Sequence, residues 1–328
     1  MNTIFRQSKT TAKKISYRIG KAIGFFLKYR AFLIIYNFLF ENCPHILVNF
    51  FVKFVPLPPI NYLWKIKLVN GKIVRTHIDK NDKKTAQFAL SYKWHSRAIN
   101  KVEYLINNYF PEEVPWIDVG SNLGLRSLLP LSVSRHVFFI EPNADLNRIN
   151  HQRCLLNNFK GFVFIQAGAS DKTGETEFII DTTSYKSTIE TNILLNSDEI
   201  ARKETIKIDT LDNLLQPYIN NYTTAYIKID VEGHELKTLN GAQKTIQQLK
   251  PVMLVEVNDK GGHFDNFIGF ANQHNYLVFE TGYYEKNKIV KKVDIQTKST
   301  RRILHNDFLM IHKEHIDLIE IFKKHEAR

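Results

Sequence analysis

From residue 115 onward, short apolar runs alternate with stretches whose apolar residues recur at helical spacing. The runs at 116–119, 136–140, 162–166, 224–229, 251–257, 276–280 and 307–312 read as buried strands, and 122–130, 144–156, 236–248 and 264–273 as the helices between them. That alternation predicts an α/β fold: a doubly wound, mostly parallel sheet of Rossmann-like class with helices on both faces. The stretch 175–209 breaks the rhythm and reads as extra strands and a loop. Before the sheet, Ile99–Tyr109 predicts a lead-in helix. Residues 62–79 alternate as a small hairpin, with Asn70-Gly71 signalling a type I′ turn.

The N-terminal part follows different rules. Its first twenty residues are polar and basic, and Ile23–Phe40 is apolar but interrupted by Lys28 and Arg30. Only Ala31–Phe40 is free of charge, about half of the ~20 residues needed to span a bilayer. A second apolar segment, Ile46–Val55, contains Lys53 and stops at Pro56-Leu57-Pro58-Pro59. No small-x-small site follows residue 40, so a removable signal peptide is not expected. Residues 20–55 have two principal readings, with a true transmembrane span a remaining third. One is a helical cap packed on the domain or on a second subunit. The other is a monotopic anchor, with a basic flank held by anionic lipid and residues 1–55 making peripheral contact with a membrane. The expected organisation is an extension over 1–60, a lead-in hairpin and helix over 61–110, a main domain over 111–315 and a charged tail over 316–328.

Charge sharpens this division. The net charge of +12 is confined to the N-terminal part, since residues 1–80 hold 14 Lys and Arg against Glu41 and Asp79. The remainder carries 31 basic and 31 acidic residues. A nucleic-acid binder would carry its basic surface on the fold itself, so no nucleic-acid partner is expected. Cys43 and Cys154 are too few and too far apart for a disulfide framework. They fit a reducing cytoplasm, at the inner face of a membrane if the anchor reading holds.

Candidate chemistry collects where strands end. Trp116-Ile117-Asp118-Val119 runs into Gly120-Ser121-Asn122-Leu123-Gly124, a G-x-N-x-G turn and not the G-x-G-x-x-G of dinucleotide binders. Glycines at 120 and 124 allow a close backbone approach to a ligand. The turn suits the amino-acid end of S-adenosylmethionine, with Asp118 placed for its ammonium group. The next strand ends in Glu141-Pro142, where an acid accepts hydrogen bonds from ribose hydroxyls. The plainer alternative is that Asp118 and Glu141 are solvated or helix-capping carboxylates. At the third strand, Ala169, Ser170 and Asp171 either border the adenine ring or form a simple turn.

Six blocks in this order resemble the FkbM-type class I methyltransferases: D-V-G-S-N-x-G (118–124), I-E-P-N (140–143), A-S-D-x-x-G (169–174), I-K-I-D-x-x-D-x-L-L (206–215), I-K-I-D-V-E-G-H-E (227–235) with L-x-G-A (239–242), and L-V-E-V (254–257). Ser121 departs from the alanine more usual there. The resemblance covers about residues 65–312. It implies S-adenosylmethionine as cofactor and small-molecule acceptors, sugars or polyketide hydroxyls. With the basic, apolar N-terminus, a lipid-linked glycan becomes an attractive acceptor.

Methyl transfer to a hydroxyl needs positioning and a proton acceptor. Asp230 is the leading candidate, as base or as binder of the methionine part, with His234 next to it. Glu232 could line the acceptor pocket. Glu235 reads first as favourable charge at a helix N-terminus. Lys228 shares the Asp230 face of its strand and needs a partner there, Asp118 or Glu141 among them. Asp230, Glu256 and Asn258 are oxygen donors that a Mg²⁺ or Ca²⁺ site could use, but strand edges collect carboxylates anyway, and no metal is assigned. Ser187-Thr188-Ile189-Glu190 is a further candidate on the acceptor side. Two other classes remain open: a dinucleotide-dependent oxidoreductase, and a non-catalytic module tethering glycan-assembly proteins.

Overall fold

The computed structural model describes residues 62–78, 97–181, 187–189, 200–257, 263–281, 290–293 and 306–326. The extension 1–60 lies outside the described residues, and with it every reading of residues 20–55; Cys43, Glu190 and Asn258 do so too. The chain divides into two compact units, Met1–His95 and Ser96–Arg328.

In the first unit, β1 (Tyr62–Lys67) and β2 (Ile73–Ile78) pair antiparallel with Lys67 opposite Ile73. Strand alternation puts Trp64, Ile66, Val74, Thr76 and Ile78 on a buried face and Leu63, Lys65, Lys67, Ile73, Arg75 and His77 on an exposed one. The connection differs from the expected type I′ turn. Leu68 pairs with Lys72 across a three-residue loop, the Gly71 amide donates to the Leu68 carbonyl, and of Asn70 and Gly71 only the glycine has positive φ, at 82°. That is the three-residue hairpin loop with glycine in the left-handed position. The Asn70 side chain accepts from the Lys72 amide, which stabilises the turn without a left-handed asparagine.

The second unit begins with α1 (Arg97–Tyr109), β3 (Trp116–Val119), α2 (Leu128–Ser132), β4 (Val137–Ile140), α3 (Ala144–Leu156) and β5 (Phe162–Ile165). Next come β6 (Gly168–Ser170), β7 (Gly174–Asp181), β8 (Ile200–Thr210) and α4 (Leu211–Ile219). The chain continues through β9 (Tyr226–Ile229), α5 (Glu235–Asn240), α6 (Gln243–Leu249), β10 (Val252–Glu256) and α7 (His263–Gln273). It closes with β11 (Tyr276–Thr281), β12 (Val290–Lys292), β13 (Asp307–His312) and α8 (Asp317–Glu326). One eight-stranded sheet runs β12-β11-β13-β10-β9-β3-β4-β5, with β10, β9, β3, β4 and β5 mutually parallel and β13 antiparallel between β10 and β11. β6, β8 and β7 form a separate three-stranded sheet, where the break in rhythm predicted extra strands.

The central strands are apolar on both faces because both are covered. On one side Ile117, Val119, Ile227, Ile229, Met253 and Val255 pack with residues of α4, α6 and α7. On the other, Trp116, Phe139, Tyr226 and Leu254 meet α1, Leu131 and the C-terminal helix. Cys154 packs on this second side, and burial pushes its thiol up to about 12. The 316–328 stretch is more than a charged tail: α8 buries Leu318 and Phe322 there.

Two helices differ from their expected spans. The predicted helix over 122–130 starts only at Leu128, because Asn122 and Gly124 are left-handed, with φ of 49° and 60°. The predicted helix over 236–248 is broken into α5 and α6 around Gly241. A Cβ at 241 would lie 1.9 Å from the Ser170 carbonyl oxygen, so only glycine lets this corner rest on β6. Asp212 then restarts the helix, accepting from the amides of Lys244 and Thr245 at 2.9 and 2.7 Å. Gly241→Ala is therefore expected to cost about 3 kcal/mol or more in urea unfolding; a loss below ~1 kcal/mol would show that the corner can yield.

Candidate active site

At the end of β3 the chain is left-handed at Gly120, Asn122 and Gly124, and it is held by the neighbouring strand: the amides of Gly120 and Ser121 both donate to the Ile140 carbonyl, at 2.9 and 3.3 Å. A Cβ on Gly120 would lie 1.9 Å from the Asp230 carbonyl oxygen. One on Gly124 would meet the Asn150 and Phe139 side chains at 2.8 and 2.9 Å. The close approach these glycines permit is thus to the protein's own backbone and side chains, a different reason from the ligand approach expected of them.

Glu141 ties the same loop from the β4 side. One carboxylate oxygen accepts from the Asn122 amide at 2.8 Å, the other from the Asn143 amide at 2.9 Å. Burial nonetheless pushes its pKa up to about 7. Helix α3 adds a buried polar face. Asn143 caps it by accepting from the Asp145 and Leu146 amides, and Asn147 donates to the Glu141 carbonyl. Asn150 donates to the Asn122 carbonyl at 2.7 Å, and Arg153 to the Leu123 carbonyl. Pro142, between Glu141 and the cap, is half-buried.

Asp118 lies beneath this loop, 0% exposed. Ser127 donates to its Oδ2 at 2.8 Å, and its Oδ1 stands 3.9 Å from Lys228 Nζ with no hydrogen-bond partner. The parallel register sets Asp118 directly beside Lys228. Lys228 is buried and donates to Asp230 Oδ2 at 2.9 Å. Burial opposes its charge, but Asp230 and Asp118 outweigh that and raise its pKa. Behind the pair, Arg126 bonds Asn100 and Glu103, and the Tyr226 hydroxyl donates to Glu103. Burial pushes Glu103 up to about 7.

The end of β9 carries the second half of the edge. Asp230 is 34% exposed, and Glu256, at the end of the neighbouring strand β10, hydrogen-bonds to it. Against burial, Lys228 holds Asp230 below the ordinary carboxylate range, while Asp230's charge and burial push Glu256 up to about 10. At neutral pH the pair therefore shares one proton, carried mainly by Glu256. The loop that follows takes left-handed conformations at Glu232 and Gly233, with φ of 50° and 96°. It is pinned from three directions. Glu235 accepts from the Val231 and Gly233 amides, Thr188 donates to the Glu232 carbonyl at 2.9 Å, and His234 Nε2 lies 3.0 Å from Ser170 Oγ. Burial pushes Glu235 up to about 7.

Asp118, Gly120, Ser121, Asn122, Gly124, Glu141 and Asp230 thus meet at one sheet edge. Ala169 and Ser170 belong to β6, a strand and not a simple turn. The Ala169 carbonyl accepts from Thr238, and Ser170 contacts Asp171 and His234. His234 makes that contact from the N-cap position of α5, without a side-chain cap hydrogen bond. Among the described residues no group of three His, Cys, Asp or Glu is arranged to hold a metal ion. Sequence reasoning missed Ser127, Asn147, Asn150, Arg153, Arg126 and Glu103. The signal was present in part: Asn143, Asn147 and Asn150 recur at helical spacing on α3, and Glu103 interrupts the apolar stripe Val102-Leu105-Ile106 of α1.

The family model for the methyltransferase FkbM domain matches residues 118–320. No curated protein matches the chain. Among solved structures, the methyltransferase FkbM from Methylobacillus flagellatus KT is 15% identical with a TM-score of 0.40, covering 70% of this chain and 54% of its own. This chain therefore spans about half the length of that protein. The SAM-dependent methyltransferase from Agrobacterium tumefaciens is 10% identical, with a TM-score of 0.42 and coverage of 78% and 71%. Magnesium protoporphyrin IX methyltransferase from Synechocystis PCC 6803, with bound SAM, is 9% identical, with a TM-score of 0.38 and coverage of 70% and 81%.

Glu103, Glu141 and Glu235 each rise from 4.5 to about 7 on folding, so between those pH values the folded chain binds more protons than the unfolded one. Their contribution to stability is present below pH 4.5 and is lost as pH rises through about 7. In urea titrations from acid to mildly alkaline pH, Glu103→Gln should flatten the fall in stability by up to ~3 kcal/mol. An unchanged slope would mean that Glu103 ionises freely in the folded state.

Proposed function

The chain belongs to the FkbM methyltransferase family, and from that premise we propose that it transfers a methyl group from S-adenosylmethionine to a hydroxyl of a sugar, glycan or other small molecule, with a lipid-linked glycan among the acceptors. The observation that carries this reading is the convergence of the G-S-N-L-G loop, Glu141 and Asp230 on the carboxyl edge of adjacent parallel strands, where open α/β sheets bind ligands.

The residues at that edge fit the cofactor. Asp118 Oδ1 and Ser121 Oγ are buried polar atoms without hydrogen-bond partners at the loop, and each has capacity for a donor. Each Glu141 oxygen already accepts one amide and retains a further lone pair for a ribose hydroxyl. Ala169, Ser170 and Asp171 line the adenine side in this reading. When bound, S-adenosylmethionine supplies an electrophilic methyl group on a sulfonium.

Asp230 serves the acceptor. Held ionised by Lys228, it is a weak base but a strong hydrogen-bond acceptor, which suits orienting a hydroxyl. Proton transfer to it becomes favourable only as the hydroxyl oxygen forms its new bond to carbon and turns acidic. Glu256, holding a proton beside it, keeps the two carboxyl groups from repelling each other. His234 fixes the loop through Ser170 and is assigned a positioning role in place of proton transfer.

Calorimetry separates binding from chemistry. Glu141→Ala and Asp118→Ala should each weaken S-adenosylmethionine binding by roughly ten- to a hundredfold, the worth of one charge-assisted hydrogen bond. Asp230→Asn should keep that affinity but lower transfer of labelled methyl from the cofactor to a glycan panel by at least about a hundredfold. Unaltered affinity in both alanine variants would remove the cofactor from this edge.

A further inference from the structure

The exposed face of the N-terminal hairpin has a composition that the methyl-transfer reading does not use. Between Tyr62 and Ile78 there are four Lys and Arg and no Asp or Glu. Lys65 and Lys67 both point outward, and Lys65 stands directly opposite Arg75 across the ladder. The apolar residues of the same face are as unusual. Leu63, Val69 and Ile73 are 42%, 44% and 58% exposed, three of the six exposed large hydrophobics among the described residues, gathered on this one hairpin. Val69 and Ile73 flank the turn with Lys72 exposed between them, so the tip is aliphatic with one cation beside it and the shaft is cationic.

We propose that this face docks the protein on an anionic lipid surface, the aliphatic tip entering the headgroup boundary and Lys65 and Lys67 resting on lipid phosphates. The charge pattern selects this occupant. A second copy related by two-fold symmetry would bring cation against cation. A nucleic acid would be read with stacking aromatics, yet the outward positions from Leu63 to His77 carry no Phe, Tyr or Trp, and exposed Val and Ile gain little on a phosphate backbone. Only a surface that combines negative charge with a nearby hydrocarbon layer rewards both halves of the face. The cationic surplus of residues 1–80 adds attraction of the same sign. The inference is independent of the methyl-transfer reading and stands or falls separately from it.

The test uses the full chain and sedimentation with vesicles of phosphatidylcholine alone or mixed with phosphatidylglycerol. The wild type should partition to the anionic vesicles and lose affinity with added salt. Lys65→Gln with Lys67→Gln should lower that partitioning by roughly fivefold per lysine. Val69→Ser with Ile73→Ser should also lower it, while leaving its salt dependence in place. All four positions face solvent, so thermal unfolding and S-adenosylmethionine affinity should match the wild type in both variants. Three results would overturn the proposal: partitioning unchanged in both variants, equal binding to the neutral vesicles, or light scattering that shows a dimer dissolved by the Val69 and Ile73 changes.

Discussion

Lys228 sits inside the sheet, one residue from the strand end, and neither its burial nor its charge makes sense without the carboxylates on either side. An unpaired ammonium there would cost several kcal/mol, and so would Asp118 left alone beneath the glycine loop. Asp230 and Asp118 hold Lys228 charged, and Lys228 in turn opposes the burial that raises the Asp118 pKa; the parallel register of β3 and β9 makes the arrangement unavoidable once the strands pair. Asp118 in turn receives Ser127, which anchors the chain after the loop, and Lys228 reaches Asp230, where the next loop begins. The two halves of the edge are thereby fixed to the same buried charge. A shift at either would be felt at the other, because a broken buried pair leaves its partner uncompensated.

Around this centre the backbone takes conformations it would not choose alone. Asn122 and Glu232 are left-handed without being glycine, a state of order 1–3 kcal/mol in cost that persists only where the surroundings dictate it. Asn122 is held on both sides, its amide by Glu141 and its carbonyl by Asn150. Glu232 is held at its carbonyl by Thr188 and through the adjoining amides by Glu235. These four clamps come from four different parts of the chain. The edge is therefore shaped before any ligand arrives, which is what in-line transfer demands of a protein whose contribution is position.

How much of this could be read from the sequence follows from the range of each interaction. The strands 116–119 and 307–312 were readable to the residue, because continuous burial on both faces writes itself as a local apolar run. The strand-ending acids were readable for the same reason. The helices at 122–130 and 236–248 were misjudged, since the left-handed steps at Asn122 and Gly124 and the contact of Gly241 with Ser170 depend on distant backbone. Asn70-Gly71 suggested a turn correctly and its type wrongly, for the one-residue difference in loop length is set by which outer pair closes. Lys228 announced that it needed a partner, and Asp118 was among those named; Asp230, two residues on and just past the end of the strand, was not. The polar face of α3 went unseen because its asparagines serve carbonyls on other elements, and helical spacing alone does not distinguish a buried asparagine from a solvated one.

The edge carries more carboxyl groups than it can keep ionised. Asp118, Glu141, Asp230, Glu235 and Glu256 face one buried lysine, with Arg126 farther behind, and the surplus is relieved by protons on the groups whose pKa values rise. A site so loaded favours a ligand that brings positive charge, because a cation replaces those protons and the full attraction of the carboxylates is then realised. An anionic ligand would meet the repulsion of the remaining carboxylates. The electrostatics of the folded chain, independent of any motif, thus favour positive charge at this edge, which agrees with the cofactor proposed above.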